Sequence, residues 1–230
     1  MKSSPAFSPL AAALASRRGF IRQVSLATAF FTVRGAFAEE LTRRHKTAAC
    51  GEGPFYPPKL PLDTDNDLII VNDAITPAVG EITHLSGRLM DERGNPIRNA
   101  AVEIWEADSK GIYLADAGSR GKYDANFQGF GRFLTGSTGE YYFRTIKPLP
   151  YTGRPAPHIH FKVRMKGREP WTTQLFIKGD PGNAKDGVWS GVGSAEERAT
   201  VTTEFVPMKD SRIGELTARF DIVLGVTPEG

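Results

Sequence analysis

Four histidines, six tyrosines and one cysteine are the side chains from which this 230-residue chain can build a reactive centre. Two of the histidines form His158-Ile159-His160. On a strand, residues i and i+2 point to one face, so both imidazoles can grip one metal ion. A pair of surface histidines on a strand reads the same way, so the motif alone leaves both meanings open. The preceding segment, Lys147 to Pro157, is rich in proline and glycine and forms a rigid loop beside the strand. It holds one tyrosine, Tyr151, and one arginine, Arg154, and no cysteine. A set of imidazole nitrogens and a phenol oxygen suits a hard, highly charged ion better than a soft one. Phenol has a pKa near 10, but a bound cation holds it deprotonated at neutral pH. Phenolate then favours ferric over ferrous iron. A different metal enzyme using only the histidine pair is a competing reading. A zinc hydrolase normally adds a third protein ligand, and neither His45 nor His84 lies in a matching motif.

The elements that must position these groups read as β. Gly 24 and Pro 16 out of 230 residues exceed the usual share of about 12% and point to a turn-rich chain. Strands are expected over 81–90, 101–107, 141–146, 158–165, 172–177 and 218–224. A turn is expected at Asp91 to Pro96, where Gly94 and Asn95 tolerate positive φ. A short helix is the one helical signal, near Ser194 to Arg198. Short strands separated by turn signals argue for an all-β sandwich. Adjacent Tyr141 and Tyr142 face opposite sides of a strand and are expected to be structural.

The formal charge of +3 and the pI of about 9.0 invite a nucleic-acid reading. Position removes it. Residues 1–38 carry Lys2, Arg17, Arg18, Arg22 and Arg34 and no acid, and the remainder holds 24 basic against 26 acidic residues. No nucleic-acid partner is expected. Arg17-Arg18, the apolar run Val24 to Val33 and Ala36-Phe37-Ala38 are the parts of a twin-arginine secretory signal. Export to the periplasm or the exterior follows, with a signal peptide over 1–38, a polar lead-in over 39–50 and one domain over 51–230. No apolar run of about 18 residues exists, so no stable membrane span is expected. The single cysteine, Cys50, excludes an intrachain disulfide framework and a thiolate zinc cluster.

From Gly51 to Pro181, ordered blocks resemble the intradiol ring-cleavage dioxygenases, of which the protocatechuate 3,4-dioxygenases are one kind. The blocks are Gly53-Pro54-Phe55-Tyr56-Pro57, Leu85 to Asp91, Gly94 to Ile97, Val102 to Asp108, Gly111-Ile112-Tyr113, Phe130 to Thr135, Gly139 to Pro148, Pro157 to Val163 and Thr173 to Phe176. The resemblance implies a transthyretin-like β-sandwich, a single catalytic domain with long loops. It implies Fe(III) held by Tyr113, Tyr151, His158 and His160. It implies a catechol-type substrate that gives up its protons, with Tyr151 as an acceptor, and O₂ whose two atoms both enter a muconate-type dicarboxylic acid. Arg154 and Gln174 are the further candidate catalytic groups, beside substrate and metal. A solvated loop residue and a strand-pairing residue are their bland counterparts. Arg132 lies in a matching block and is expected only in a buried salt bridge. In the family the arginine often stands three residues before the first histidine. Here it stands four before, and the loop is shorter than in the protocatechuate enzymes, which bears on the pocket. The helical dimerisation domain of catechol 1,2-dioxygenases is not expected, and a homo-oligomer stays open. A non-catalytic exported β-sandwich that binds a ligand is the alternative from a different class, since this architecture hosts many functions.

Overall fold

Alternation along β5 (His158–Arg164) sets the geometry of the whole molecule: Ile159, Phe161 and Val163 enter the main core, while His158, His160 and Lys162 point the other way. This computed structural model describes residues 44–72, 75–117 and 121–225. The signal-type segment 1–38 and residues 39–43 of the lead-in lie outside the described residues.

Two five-stranded sheets face each other. The first contains β1 (Ile82–Asp91), β4 (Glu140–Ile146), β8 (Phe205–Pro207), β9 (Leu216–Arg219) and β10 (Ile222–Leu224). The second runs in the order β3 (Phe130–Leu134), β2 (Ala101–Trp105), β5, β6 (Trp171–Ile177), β7 (Thr202–Thr203). Leu85, Phe143, Val102, Ile104, Phe161 and Leu175 meet between them in one apolar cluster. The fold is the all-β sandwich that the sequence suggests.

Three departures from the sequence reading have local causes. The final strand expected over 218–224 is two strands. Both pair β1 in the same register, Ser86 with Arg219 and Leu89 with Ile222. At the break the Asp221 carboxylate replaces a backbone partner, accepting from the Arg88 N–H at 2.9 Å. Strand β3 escapes the periodicity because Gly131 interrupts it. A Cβ there would lie 2.9 Å from the Asp65 carbonyl oxygen, since the 64–68 segment crosses at that point. Helix α1 (Gly187–Gly191) is also unannounced, and Asp186 caps it. Helix α2 (Ala195–Ala199) is the expected one, started by a capping box between Ser194 and Glu197.

The lead-in does more than its polarity suggests. Thr47 donates its N–H to Val223 of β10 at 3.0 Å, and Cys50 donates to Thr172 of β6 at 3.1 Å. The segment therefore fastens one sheet to the other. Beyond it, residues 51–60 cross the outer face of the second sheet. A separate apolar cluster forms beneath them from Trp105, Ala107, Tyr113 and Phe130, with Phe55, Tyr56, Leu60 and Tyr151 against it. That cover is why β5 is buried on both faces. Among the described residues, no helix is long and apolar enough to cross a membrane.

Candidate metal centre

The centre starts as a row across three strands. Trp105 pairs with His160 and His160 with Gln174, so all three side chains share the outer face of the second sheet. His158, two residues earlier, stands on the same face opposite Phe176. The ring centroids of His158 and His160 are 4.9 Å apart. Trp105 stacks on His160 at 4.8 Å.

Two turns bring the phenols. Asp108 organises the first. Its Oδ1 accepts from the N–H groups of Lys110 and Ile112, at 2.9 and 3.0 Å, and the left-handed Gly111 (φ +76°) closes the loop. Tyr113 follows directly, its ring stacked on Phe55 at 4.6 Å. The second turn is a two-residue reversal at Thr152-Gly153. Tyr151 and Arg154 exchange backbone hydrogen bonds across it, at 3.0 and 2.9 Å, with Gly153 at φ +89°. Tyr151 lies 5.5 Å from Tyr113 and 5.6 Å from His158, centroid to centroid, and Tyr113 lies 5.8 Å from His160. The four side chains named from the sequence thus converge on one point.

Hydrogen bonding leaves ring nitrogens free to ligate. His158 Nδ1 lies 2.8 Å from the Ala156 carbonyl oxygen, so that nitrogen carries the proton. Its Nε2 is the lone-pair side and accepts from the Tyr113 hydroxyl at 3.3 Å. His160 is buried, and neither of its ring nitrogens has a hydrogen-bond partner. A buried polar atom without a partner costs about 1–3 kcal/mol. A metal ion bound by one of these nitrogens offsets that cost, so this donor set fits ferric iron.

The electrostatics point the same way. Burial, with help from the Arg154 charge, lowers the His158 pKa to about 4 and that of His160 well below the usual imidazole value. Both rings are therefore neutral and able to ligate at neutral pH. Burial raises Tyr113 well above the ordinary phenol value, and the neighbouring Tyr151 adds to the effect. Burial raises Tyr151 too, but the Tyr113 hydroxyl and the Arg154 guanidinium pull it back.

Arg154 is no solvated loop residue. Its Nε donates to Asp186 at 2.8 Å and its Nη2 to Gln174 Oε1 at 2.7 Å. Gln174 in turn donates to the Gly51 carbonyl at 3.1 Å, tying the cation to the covering segment. Asp186 is buried and also accepts from the N–H groups of Val188 and Trp189. Burial alone would raise its pKa, but Arg154 and those N–H groups together hold it below the usual carboxylate value.

Comparison with known proteins places the chain in a family. The family model described as Dioxygenase matches residues 51–226. The chain belongs to the intradiol dioxygenase family. It is 34% identical over 160 residues to the protocatechuate 3,4-dioxygenase beta chain of Burkholderia cepacia, covering 64% of this chain and 65% of that one. It is 30% identical over 206 residues to hydroxyquinol 1,2-dioxygenase of Corynebacterium glutamicum, covering 78% of this chain and 64% of that one. The chain thus spans a little under two thirds of these relatives' length. Among solved structures, the dioxygenase domain of a carbohydrate-binding fusion from Streptomyces sp. SirexAA-E aligns with a TM-score of 0.61 at 26% identity. That alignment covers 80% of this chain and all of that one. The 3-chlorocatechol 1,2-dioxygenase of Rhodococcus opacus 1CP shares the fold, with a TM-score of 0.61 at 19% identity over 83% of this chain and 76% of that one.

Several residues of this candidate site in the intradiol-family chain are not legible as such in the sequence. Asp186 sits 32 positions beyond Arg154, and nothing local marks it. Trp105 and Phe55 flank the His160 and Tyr113 rings but read as ordinary core aromatics. Gly111 and Gly53 give room. A Cβ at Gly111 would lie 2.7 Å from Tyr151 Cβ, and one at Gly53 3.3 Å from His160 Cε1. Arg132 has its expected role: it reaches the buried Glu103 at 2.7 Å, joined by Arg164 at 3.1 Å and the Tyr56 hydroxyl at 2.9 Å. Among the described residues no three His, Cys, Asp or Glu side chains are placed to hold a metal, so a zinc site of those ligands finds no third member beside the histidine pair.

Proposed function

We propose that this protein is a non-haem Fe(III) dioxygenase that opens a catechol-type ring between its two hydroxylated carbons with O₂, giving a muconate-type dicarboxylic acid. The observation that carries the reading is the buried His160, both ring nitrogens unpartnered, packed against Trp105, Tyr113 and His158. Tyr113, Tyr151, His158 and His160 are the residues that would hold the iron. Ferric iron, when bound, withdraws electron density and makes a catecholate ring reactive toward O₂. Tyr151 Oη is the proton acceptor for a substrate hydroxyl: it is the less buried phenol, and the Arg154 cation beside it favours the phenolate, the form that can take up a proton. Arg154, fixed by Asp186 and Gln174, offsets the negative charge of the deprotonated substrate without having to reorganise. Trp105 and Phe55 keep water from the ligand rings.

Purified protein should show a broad visible tyrosinate-to-iron charge-transfer band, consume O₂ with catechol and yield the ring-opened diacid. A colourless protein with stoichiometric zinc and no iron would sink the reading. The N-terminal segment adds twin-arginine export to this proposal. Cell fractionation and N-terminal sequencing should find the mature chain outside the cytoplasm and beginning near Glu39. A chain retained whole in the cytoplasm would remove that part alone.

A further inference from the structure

A cleft of about 750 Å³ opens beside Tyr151, lined by Lys110, Gly111, Ile112, Pro150, Tyr151 and Thr152. Pockets for drug-sized ligands run from ~300 to 1,000 Å³, so one aromatic ring fills only a small part of this space. A catechol placed at the phenols therefore leaves most of the cleft to whatever its ring carries. The walls are the two turns that bring Tyr113 and Tyr151. They meet where Gly111 backs onto Tyr151, so Lys110 stands at the cleft's edge next to the metal-binding phenol.

Among the described residues that line the cleft, Lys110 alone is charged, and no carboxylate joins it there. Its backbone is clamped by Asp108, while its Nζ donates to the Lys122 carbonyl at 3.1 Å. An ammonium group has three protons, and this contact uses one. The acid of the same turn does not neutralise it by contact. Both Asp108 oxygens are taken by N–H groups, Oδ1 by Lys110 and Ile112 and Oδ2 by Asp124, and the residue is buried. Asp186, a further acid near the centre, is engaged by Arg154. Lys110 thus brings to the cleft a cation with donors beyond that one contact.

We propose that Lys110 is a specificity-determining residue, selecting catechols that bear a carboxylate on a short arm extending from the ring into this cleft. The inference rests on the ring-cleavage reading above and adds the substrate class to it. The ring sits at the phenols and the arm runs along the Pro150–Thr152 wall. The carboxylate reaches the ammonium at the rim.

The test compares 3,4-dihydroxyphenylpropionate with its methyl ester, which keeps the shape and removes the charge, and with catechol. The readouts are the acid-to-ester ratio of kcat/KM and the same ratio from anaerobic calorimetric titration. Wild-type protein should prefer the acid, and the preference should shrink in high salt. Lys110→Ala should lower the ratio about three- to fivefold, the upper part of the range of a solvent-exposed ion pair. Lys110→Arg should keep it, and Lys110→Glu should turn it in favour of the ester. Cleavage of catechol with an acid-to-ester ratio near one, or a ratio that Lys110→Ala does not move, overturns this inference and leaves the ring-cleavage reading standing. Failure of the wild-type protein to cleave any of the three overturns both.

Discussion

Glu106 continues the alternation of β2 one residue beyond the strand's end and so turns its carboxyl into the core. The Thr145 hydroxyl donates to one oxygen, and the other has no partner. Burial raises this carboxyl well above the usual value, so the native state holds a proton that the unfolded chain releases near pH 4.3. Stability contributed by this group is complete below that pH and is lost as pH rises toward the native pKa. The slope is about 1.4 kcal/mol per pH unit. Glu106→Gln removes the term. Urea unfolding at a series of pH values should show the variant gaining on wild type steadily from about pH 4.3 upward. Parallel curves would mean that Glu106 is ionised in the native state. In sequence this acid looks like its neighbour Glu103, which faces the other side and is matched by Arg132, Arg164 and Tyr56.

At the scale of elements, the site is two turns pressed together over one strand. Gly111 and Tyr151 meet with no room for a methyl group, and Gly111 has a φ of +76°, which L side chains rarely adopt. Gly111→Ala must therefore strain its own turn or push Tyr151 aside. The expected cost is about 1–3 kcal/mol of stability, with a weaker charge-transfer band and lower iron content per chain. A variant with unchanged melting temperature and full iron content would show that the two turns move independently. The same contact explains why the turn around Asp108 matters to a tyrosine 40 positions away. Asp186 works in a comparable way, joining the start of α1 to the guanidinium of Arg154.

Across the whole molecule, the four candidate ligand residues come from distant parts of the chain. Tyr113 comes from the loop after β2, Tyr151 from the loop after β4, and both histidines from β5. An ion bound by all four cross-links these segments only in the native state and so stabilises it by mass action, by about 4 kcal/mol when present at a thousand times its Kd. Stripping iron with a chelator should lower the melting temperature, and restoring Fe(III) should recover it. A melting temperature indifferent to iron would mean that these four side chains do not bind it together. The covering segment 51–60 joins the same assembly through Tyr56 on Glu103, Glu52 on Lys162 and Gly51 on Gln174.

The sequence by itself determined whatever depends on local periodicity and local chemistry. The two-residue repeat of a strand put His158 and His160 on one face, the turn residues marked most strand ends, and Ser194 marked a helix start. Ordered blocks carried the rest of the candidate ligand set, including Tyr113, which no spacing rule would have found. Tertiary structure alone decided which face of β5 is covered, because residues 51–60 return over the sheet from far along the chain. It alone set Asp186 behind Arg154 and Gly111 behind Tyr151. These relations arise where loops close against one another. Loop closure joins residues whose separation in sequence leaves no periodic trace, so their partners become visible only once the sheets have packed.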